Sequence, residues 1–290
     1  MIRKAMLCSL LIFAAGAIVK PASPYSLPAF KKAAVRTPAA QQVKRANGVK
    51  LIALTFDDGP KPYVLLGLQS GSGVKSKSLL DLLDREQVKA TFFVMGWRLS
   101  KNADKMCAKV DGAPCRKGAE EEHRRGEEIE NHTYGHGDFR LMEKRYGDQW
   151  ILNDIARASA VIQEITGTKP RFLRPPDWDI WPALAQKIEA QGYRVMTKSR
   201  SVPPQLRDVD SEDYFCVGKD VSKCPKPSDY DYVWRTIEQR EREGVYDHIL
   251  VFHELPQSVE LLSRLIPALK QRGYRFVLLR DYMKEAQARE

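Results

Sequence analysis

Acidic residues are missing from the start of this chain: no Asp or Glu precedes Asp57 among its 290 residues. The same stretch holds nine basic residues, Arg3, Lys4, Lys20, Lys31, Lys32, Arg36, Lys44, Arg45 and Lys50. Residues 57–290 therefore carry 38 basic against 37 acidic side chains, and the formal charge of +10 belongs almost wholly to the N-terminal stretch. A body so near neutrality lacks the basic footprint of a nucleic-acid-binding domain, and no nucleic-acid partner is expected. Internal repeats are absent too. Glycine and proline, at 18 and 17, are in ordinary use, which excludes collagen-like and low-complexity chains. With 43% hydrophobic residues the chain can bury a sizeable core, so wholesale disorder is excluded.

A run long enough to span a membrane is also lacking near the N terminus. The uncharged stretch from Ala5 to Val19 covers fifteen residues, short of the roughly 20 that a bilayer requires. Preceded by the basic Arg3-Lys4 and holding a small-residue cleavage site at Ala15-Gly16-Ala17, it reads as a signal peptide over residues 1–17, with cleavage as late as residue 22. The alternative is an uncleaved membrane anchor. Either way the body is expected outside the cytoplasm, secreted or periplasmic. Residues 18–47, rich in Pro, Ala, Lys and Arg without hydrophobic period, read as a basic arm or linker. The body proper is expected over 48–285, with 286–290 as a tail.

Cysteine is sparse, with five residues, and Cys8 lies in the signal. The other four form two pairs with the same eight-position spacing, Cys107 with Cys115 and Cys216 with Cys224. Four cysteines allow three connectivities, and local pairing is the simplest. An oxidising compartment supports disulfides. Free thiols are one alternative; a zinc cluster is another, although this spacing is wider than usual for zinc.

From residue 48 onward, short β-branched or aromatic runs alternate with helical stretches. Strands are expected at Val49–Phe56, Ala90–Met95, Glu128–Asn131, Phe172–Arg174, Tyr193–Thr197, Ile249–His253 and Arg275–Leu279. Helices are expected at Leu79–Glu86, from near Asp148 to Gly167, from Pro182 to before Gly192, at Tyr232–Glu243 and at Ser258–Arg272. Strands separated by helices argue for a parallel sheet or a β/α barrel, and about seven strands suit a distorted (β/α) barrel in one α/β domain. Both architectures place their chemistry at the C-terminal ends of the strands.

Polar residues gather at those ends. The apolar strand Leu51–Phe56 runs into Asp57-Asp58-Gly59-Pro60. Asp-Gly-Pro alone is turn chemistry, but two adjacent carboxylates repel unless a cation lies nearby. After the third strand come His132 and His136, an i, i+4 pair that can face one metal from a helical turn. Only five histidines occur in the chain, which makes the spacing hard to ascribe to chance. The fourth expected strand ends in Arg174 and the sixth in His253. With an aspartate, the two histidines complete a His2Asp set suited to zinc.

These residues resemble the polysaccharide deacetylases of carbohydrate esterase family 4, the NodB-homology domain, over about residues 48–285. The ordered motifs are matched by Thr55–Pro60, His132–His136, Arg174–Trp178, Asp210–Tyr214 and Ile249–His253. The resemblance implies a metal triad of Asp58, His132 and His136, most often for Zn2+, with Co2+ as another divalent possibility. It implies that Asp57 is the general base with Arg174 as its cationic partner. His253 becomes the general acid that protonates the departing amine, with Asp213 as its charge partner. Val251 stands where a leucine usually lines the acetyl-methyl pocket, and the Asp177 N–H is the expected oxyanion donor. Departures from the pattern are Asp177-Trp178 in place of Tyr-Gly, and Tyr214 in place of Trp; these three positions and Val251 are the expected substrate contacts. The stretches 61–77 and 97–118 look longer than the family's connections, and the second reads as a loop stapled by Cys107 and Cys115. The implied activity is N-deacetylation of an acetylated cell-wall glycan, preferably N-acetylglucosamine in peptidoglycan. Chitin, poly-N-acetylglucosamine and acetyl-xylan are alternative substrates, and an inactive glycan-binding module is an alternative of another class.

Overall fold

The computed structural model describes residues 49–198, 208–216 and 229–287. The presumed signal, the arm, Cys8 and Cys224 lie outside the described residues, and with them the proposed Cys216–Cys224 bond. Among the described residues, no helix is long and apolar enough to cross a membrane.

The organising element is β1 (Lys50–Gly59), whose Leu51–Phe56 run is buried on both faces, as a central parallel strand requires. It pairs on one side with β7 (His248–His253) and on the other with β2 (Thr91–Val94) and, along its N-terminal half, β8 (Tyr274–Val277). Beyond β2 follow β3 (Glu128–Asn131), β4 (Phe172–Leu173) and β5 (Arg194–Val195); beyond β7 lies β6 (Asp208–Asp210). Every pairing is parallel. The sheet curls into an incomplete barrel, since β5 and β6 end its main ladder without pairing to each other.

The side-chain alternation of the strands separates two cores. Leu54, Phe56, Leu250 and Phe252 face outward into the main cluster, against α2 (Leu79–Arg85) and α9 (Pro256–Gln271). Leu51, Ala53, Phe93, Ile249 and Val251 fill the inside, where Trp178 packs against their cluster. The amphipathic α6 (Asp148–Thr166) buries Ile151, Ile155, Ala158 and Ile162, and ends at Gly167 in the left-handed conformation that glycine permits. α7 (Pro182–Glu189) and α8 (Asp229–Arg242) begin near their expected positions.

Several expectations are corrected. The sheet has eight strands, because the short, acid-rich β6 carries no apolar run that would announce it. β1 continues through both aspartates to Gly59, and Leu279 opens helix α10 (Leu279–Gln287), which runs past residue 285. The stretch 97–118 is no loop. It holds α3 (Asp104–Asp111) and the start of α4 (Cys115–Arg124), joined by a Cys107–Cys115 disulfide that is buried with Ala103. Unforeseen helices also include α1 (Pro62–Leu65) and α5 (Phe139–Tyr146).

Candidate active site

The register of β1 against β7 sets Asp57 beside His253, so two of the candidate groups leave the sheet side by side. Asp58 follows with φ of 66°, a left-handed conformation that turns its carboxylate away from that of Asp57. The two acids then meet different partners. Asp57, 4% exposed, accepts a 2.5 Å hydrogen bond from Arg174 Nη1. Arg174 reaches it from the end of β4, across two intervening strands, and its Nη1 also lies 3.0 Å from Thr55 Oγ1. The guanidinium stacks 4.0 Å over the Phe93 ring, with Trp178 at 5.0 Å.

Asp58 Oδ1 lies 3.3 Å from His132 Nε2 and 3.2 Å from His136 Nε2. Burial alone would raise the Asp58 carboxyl, but the two imidazoles and the charge of Lys61 hold it far below the usual carboxylate range. The histidines are not on a helical turn as their spacing suggested. Thr133 and His136 both have positive φ, and the loop is tied down by its own polar groups and by Asp154 on α6. Asn131 Oδ1 accepts from Thr133 N, Thr133 Oγ1 accepts from His136 N, and Asp154 Oδ2 accepts from Tyr134 N and Gly135 N. The Arg174 carbonyl lies 2.8 Å from His132 Nδ1. A carbonyl can only accept, so Nδ1 carries a hydrogen and Nε2 is the nitrogen left to face Asp58 or a metal. The donor set fits a divalent metal: Asp58, His132 and His136 offer three ligand atoms within 4.8 Å of one another, and Asp58 Oδ1 is buried without a hydrogen-bond donor.

A second dyad joins a buried carboxylate to a half-buried imidazole. Asp213, 0% exposed, takes His253 Nδ1 on Oδ1 at 2.7 Å. Its Oδ2 accepts from His253 N at 2.7 Å and from Ser258 Oγ at 2.6 Å. Burial would depress the imidazole, but the Asp213 hydrogen bond and charge, with Asp57 and Asp58 behind them, push it up to about 9. His253 Nε2 stands 4.0 Å from Asp58 Oδ2.

The expected substrate contacts divide. Tyr214 is exposed and meets the His253 ring edge-on at 5.2 Å. Asp177 is exposed, and Trp178 is half-buried with Lys198 Nζ 4.3 Å from its ring. Both adopt positive φ, 52° and 61°, the conformation a glycine would take more easily. The hydrogen bonds of their turn run from Trp178 N and Asp179 N, so the Asp177 N–H is not spent on it. Val251, 1% exposed, lies in the inner cluster below the rim.

Residues that sequence reasoning missed are Thr55, Asn131, Ser258 and Glu254. Thr55 and Asn131 sit within or beside the motifs and could have been suspected there. Ser258 carried no local signal. Glu254 is 0% exposed, takes Lys61 N on Oε2 at 2.5 Å, and lies against Gly59.

The polysaccharide deacetylase family model matches residues 44–196, just over half of the chain. The chain belongs to this family. Its members are hydrolases acting on amide bonds of N-acetylated glycans, and this protein is one of them. A peptidoglycan-N-acetylglucosamine deacetylase of Bacillus cereus is 26% identical over 238 residues, 82% of this chain and 90% of the relative. The family 4 acetyl xylan esterase from Clostridium thermocellum, solved with a cobalt ion, superposes with a TM-score of 0.56 at 26% identity, covering 81% and 91% of the two chains. The peptidoglycan N-acetylglucosamine deacetylase Bc1960 gives a TM-score of 0.57 at 24% identity over 80% and 87%, a likeness of fold.

Proposed function

We propose that this deacetylase is exported and metal-dependent, and that it removes acetyl groups from N-acetylglucosamine residues of peptidoglycan. The observation that carries the proposal is the pair of dyads, Asp57–Arg174 and Asp213–His253, flanking the Asp58, His132 and His136 donors. A divalent metal held by those three residues would supply a Lewis acid that activates water and polarises the acetyl carbonyl.

The chain's own groups then divide the proton work. Asp57, aimed by Arg174, accepts a proton from the attacking water. An amine leaves poorly unless protonated, and His253 delivers that proton from Nε2. Asp213 keeps the imidazolium charged and fixes its orientation through Nδ1 and the backbone N–H. The unspent Asp177 N–H at the rim is the backbone donor available to the developing oxyanion. Water adds to the acetyl carbon, the C–N bond breaks, and acetate and a free amine result. Tyr214 and Trp178 give the rim aromatic surfaces suited to sugar faces.

Peptidoglycan is preferred because of the Bacillus cereus relative and a basic N-terminal stretch suited to an anionic wall. Signal-directed export accords with that substrate, and zinc accords with the His2Asp donors. Acetate release from peptidoglycan, chitin oligomers and acetyl-xylan, with chelator and with zinc or cobalt restored, tests the whole proposal. Turnover of acetyl-xylan alone would move the protein to the esterases. Metal and glycan binding without acetate release would make it a binding module.

A further inference from the structure

The chemistry above employs only one side of the Arg174 guanidinium. Nη1 serves Thr55 and Asp57, while Nε and Nη2 have no hydrogen-bond partner, although the residue is 1% exposed. A buried charged donor left unpaired is costly, so this edge calls for an acceptor. Asp208 on β6 has the complementary defect. It is 5% exposed, and neither of its carboxylate oxygens has a partner.

The register of the sheet turns the two defects toward the same space. On β6, Val209 joins the outer cluster with Leu250, so the alternate residues Asp208 and Asp210 point inward. That inner face also carries Ile249, Val251, Ala53 and Thr55 with its Arg174 contact. Burial pushes the Asp208 carboxyl up to about 6, and among the cations that pull it back Arg174 comes first, ahead of Lys198 and Arg240. The other two cations are engaged elsewhere: Lys198 pairs with Asp210, and Arg240 donates to the Asp208 backbone carbonyl.

We propose that Asp208 is a positioning residue for Asp57: its carboxylate, which makes no direct ion pair with Arg174, takes the Nε/Nη2 edge through a buried water and so keeps Nη1 turned on the base. Stacking on Phe93 fixes the plane of the guanidinium, and two carboxylates on different edges then fix its rotation within that plane. The inference rests on Asp57 being the general base, and Asp208 itself touches no reacting atom.

Asp208→Asn in the full-length, metal-loaded protein tests it. The substitution keeps the shape and removes the charge. Expected is a fall in kcat of roughly 10–100-fold, the scale of a small misplacement of a catalytic group, with KM, metal content and melting temperature held. In an Arg174→Lys background the same change should add nothing. An NMR readout works without activity: the Arg174 Nε–H signal, identified by its loss in Arg174→Lys, should exchange slowly in the wild type and shift in Asp208→Asn. If the wild type releases no acetate, the functional proposal fails while this signal still decides the role of Asp208. Wild-type kcat in Asp208→Asn with an unmoved signal overturns the inference, as does an additive loss in the Arg174→Lys background. Should Asn unfold the barrel, an Arg174 Nε–H that exchanges in the wild type as fast as surface arginines also overturns it.

Discussion

Replacing Gly59 by Ala is expected to destabilise the floor of the site and to weaken metal binding together. An ideal Cβ at this position lies 1.7 Å from Glu254 Oε1 and 2.6 Å from its Cδ. The far end of a flexible side chain would normally move aside. Glu254 is 0% exposed, and its other oxygen holds Lys61 N at 2.5 Å, so moving it breaks that bond within a closed core. Losing a hydrogen bond to a charged group costs about 1.5–3 kcal/mol, and overpacking adds about 1–3 kcal/mol. The total is about 2.5–6 kcal/mol, which in a domain of this size corresponds to a Tm fall of about 5–24 °C. Because Asp58 directly precedes Gly59, the displaced loop should also lose zinc affinity. Thermal melts and zinc titration of Gly59→Ala, Glu254→Ala and the double variant give the test. Removing the Glu254 side chain abolishes the clash, so the double variant should be more stable than the sum of the two single losses by at least about 1 kcal/mol. A single Gly59→Ala variant within about 1 kcal/mol of wild type, or strict additivity, would refute the reasoning.

Two further predictions concern the dyads. Asp57→Asn should keep the metal and lose turnover by about 10²–10⁴-fold, the usual worth of a general base, whereas Asp58→Ala or His136→Ala should lose metal and turnover together; metal analysis beside acetate release separates them. The Asp213–His253 pair should make the stability of the metal-free protein depend on pH. The imidazole is raised from 6.5 to about 9, so its contribution is complete below 6.5 and is lost as pH rises through 9. That amounts to about 3 kcal/mol in the wild type, and Asp213→Asn should flatten the change. Denaturant titrations at pH 6 and pH 9 measure it, and equal changes in the two proteins would count against the pairing.

Much of the site was legible because its residues sit in short, ordered segments. Asp57, Asp58, Arg174 and His253 lie at or just after the ends of strands whose apolar residues announce them, while His132 and His136 follow the short, polar Glu128–Asn131 strand. Where the signal was weaker, the structure supplied what the sequence could not. The histidine spacing suggested a helical turn, yet the two rings converge through positive φ at Thr133 and His136, fixed by Asn131 just before them and by Asp154 on α6. The region between Trp97 and Gly118 suggested a stapled loop, yet it is mostly helix, since Cys107 and Cys115 are brought together by the fold of α3 and α4.

The sequence by itself determined the parallel β/α arrangement, the confinement of excess charge to residues before Asp57, and the identity of the groups that converge at the strand ends. Those follow from periodicity and from polar residues that interrupt apolar runs, which are properties of neighbours along the chain. The tertiary structure decided how these groups are paired. Arg174 meets Asp57 from a strand that is not its neighbour, Ser258 and the backbone of His253 complete the enclosure of Asp213, and Asp208 turns inward on a strand too short and acidic to show itself. The physical reason is that the curl of the sheet brings side chains from separated strands into one low-dielectric space, where each buried charge must find its partner. Local sequence records the charges, and only the closed fold records which ones meet.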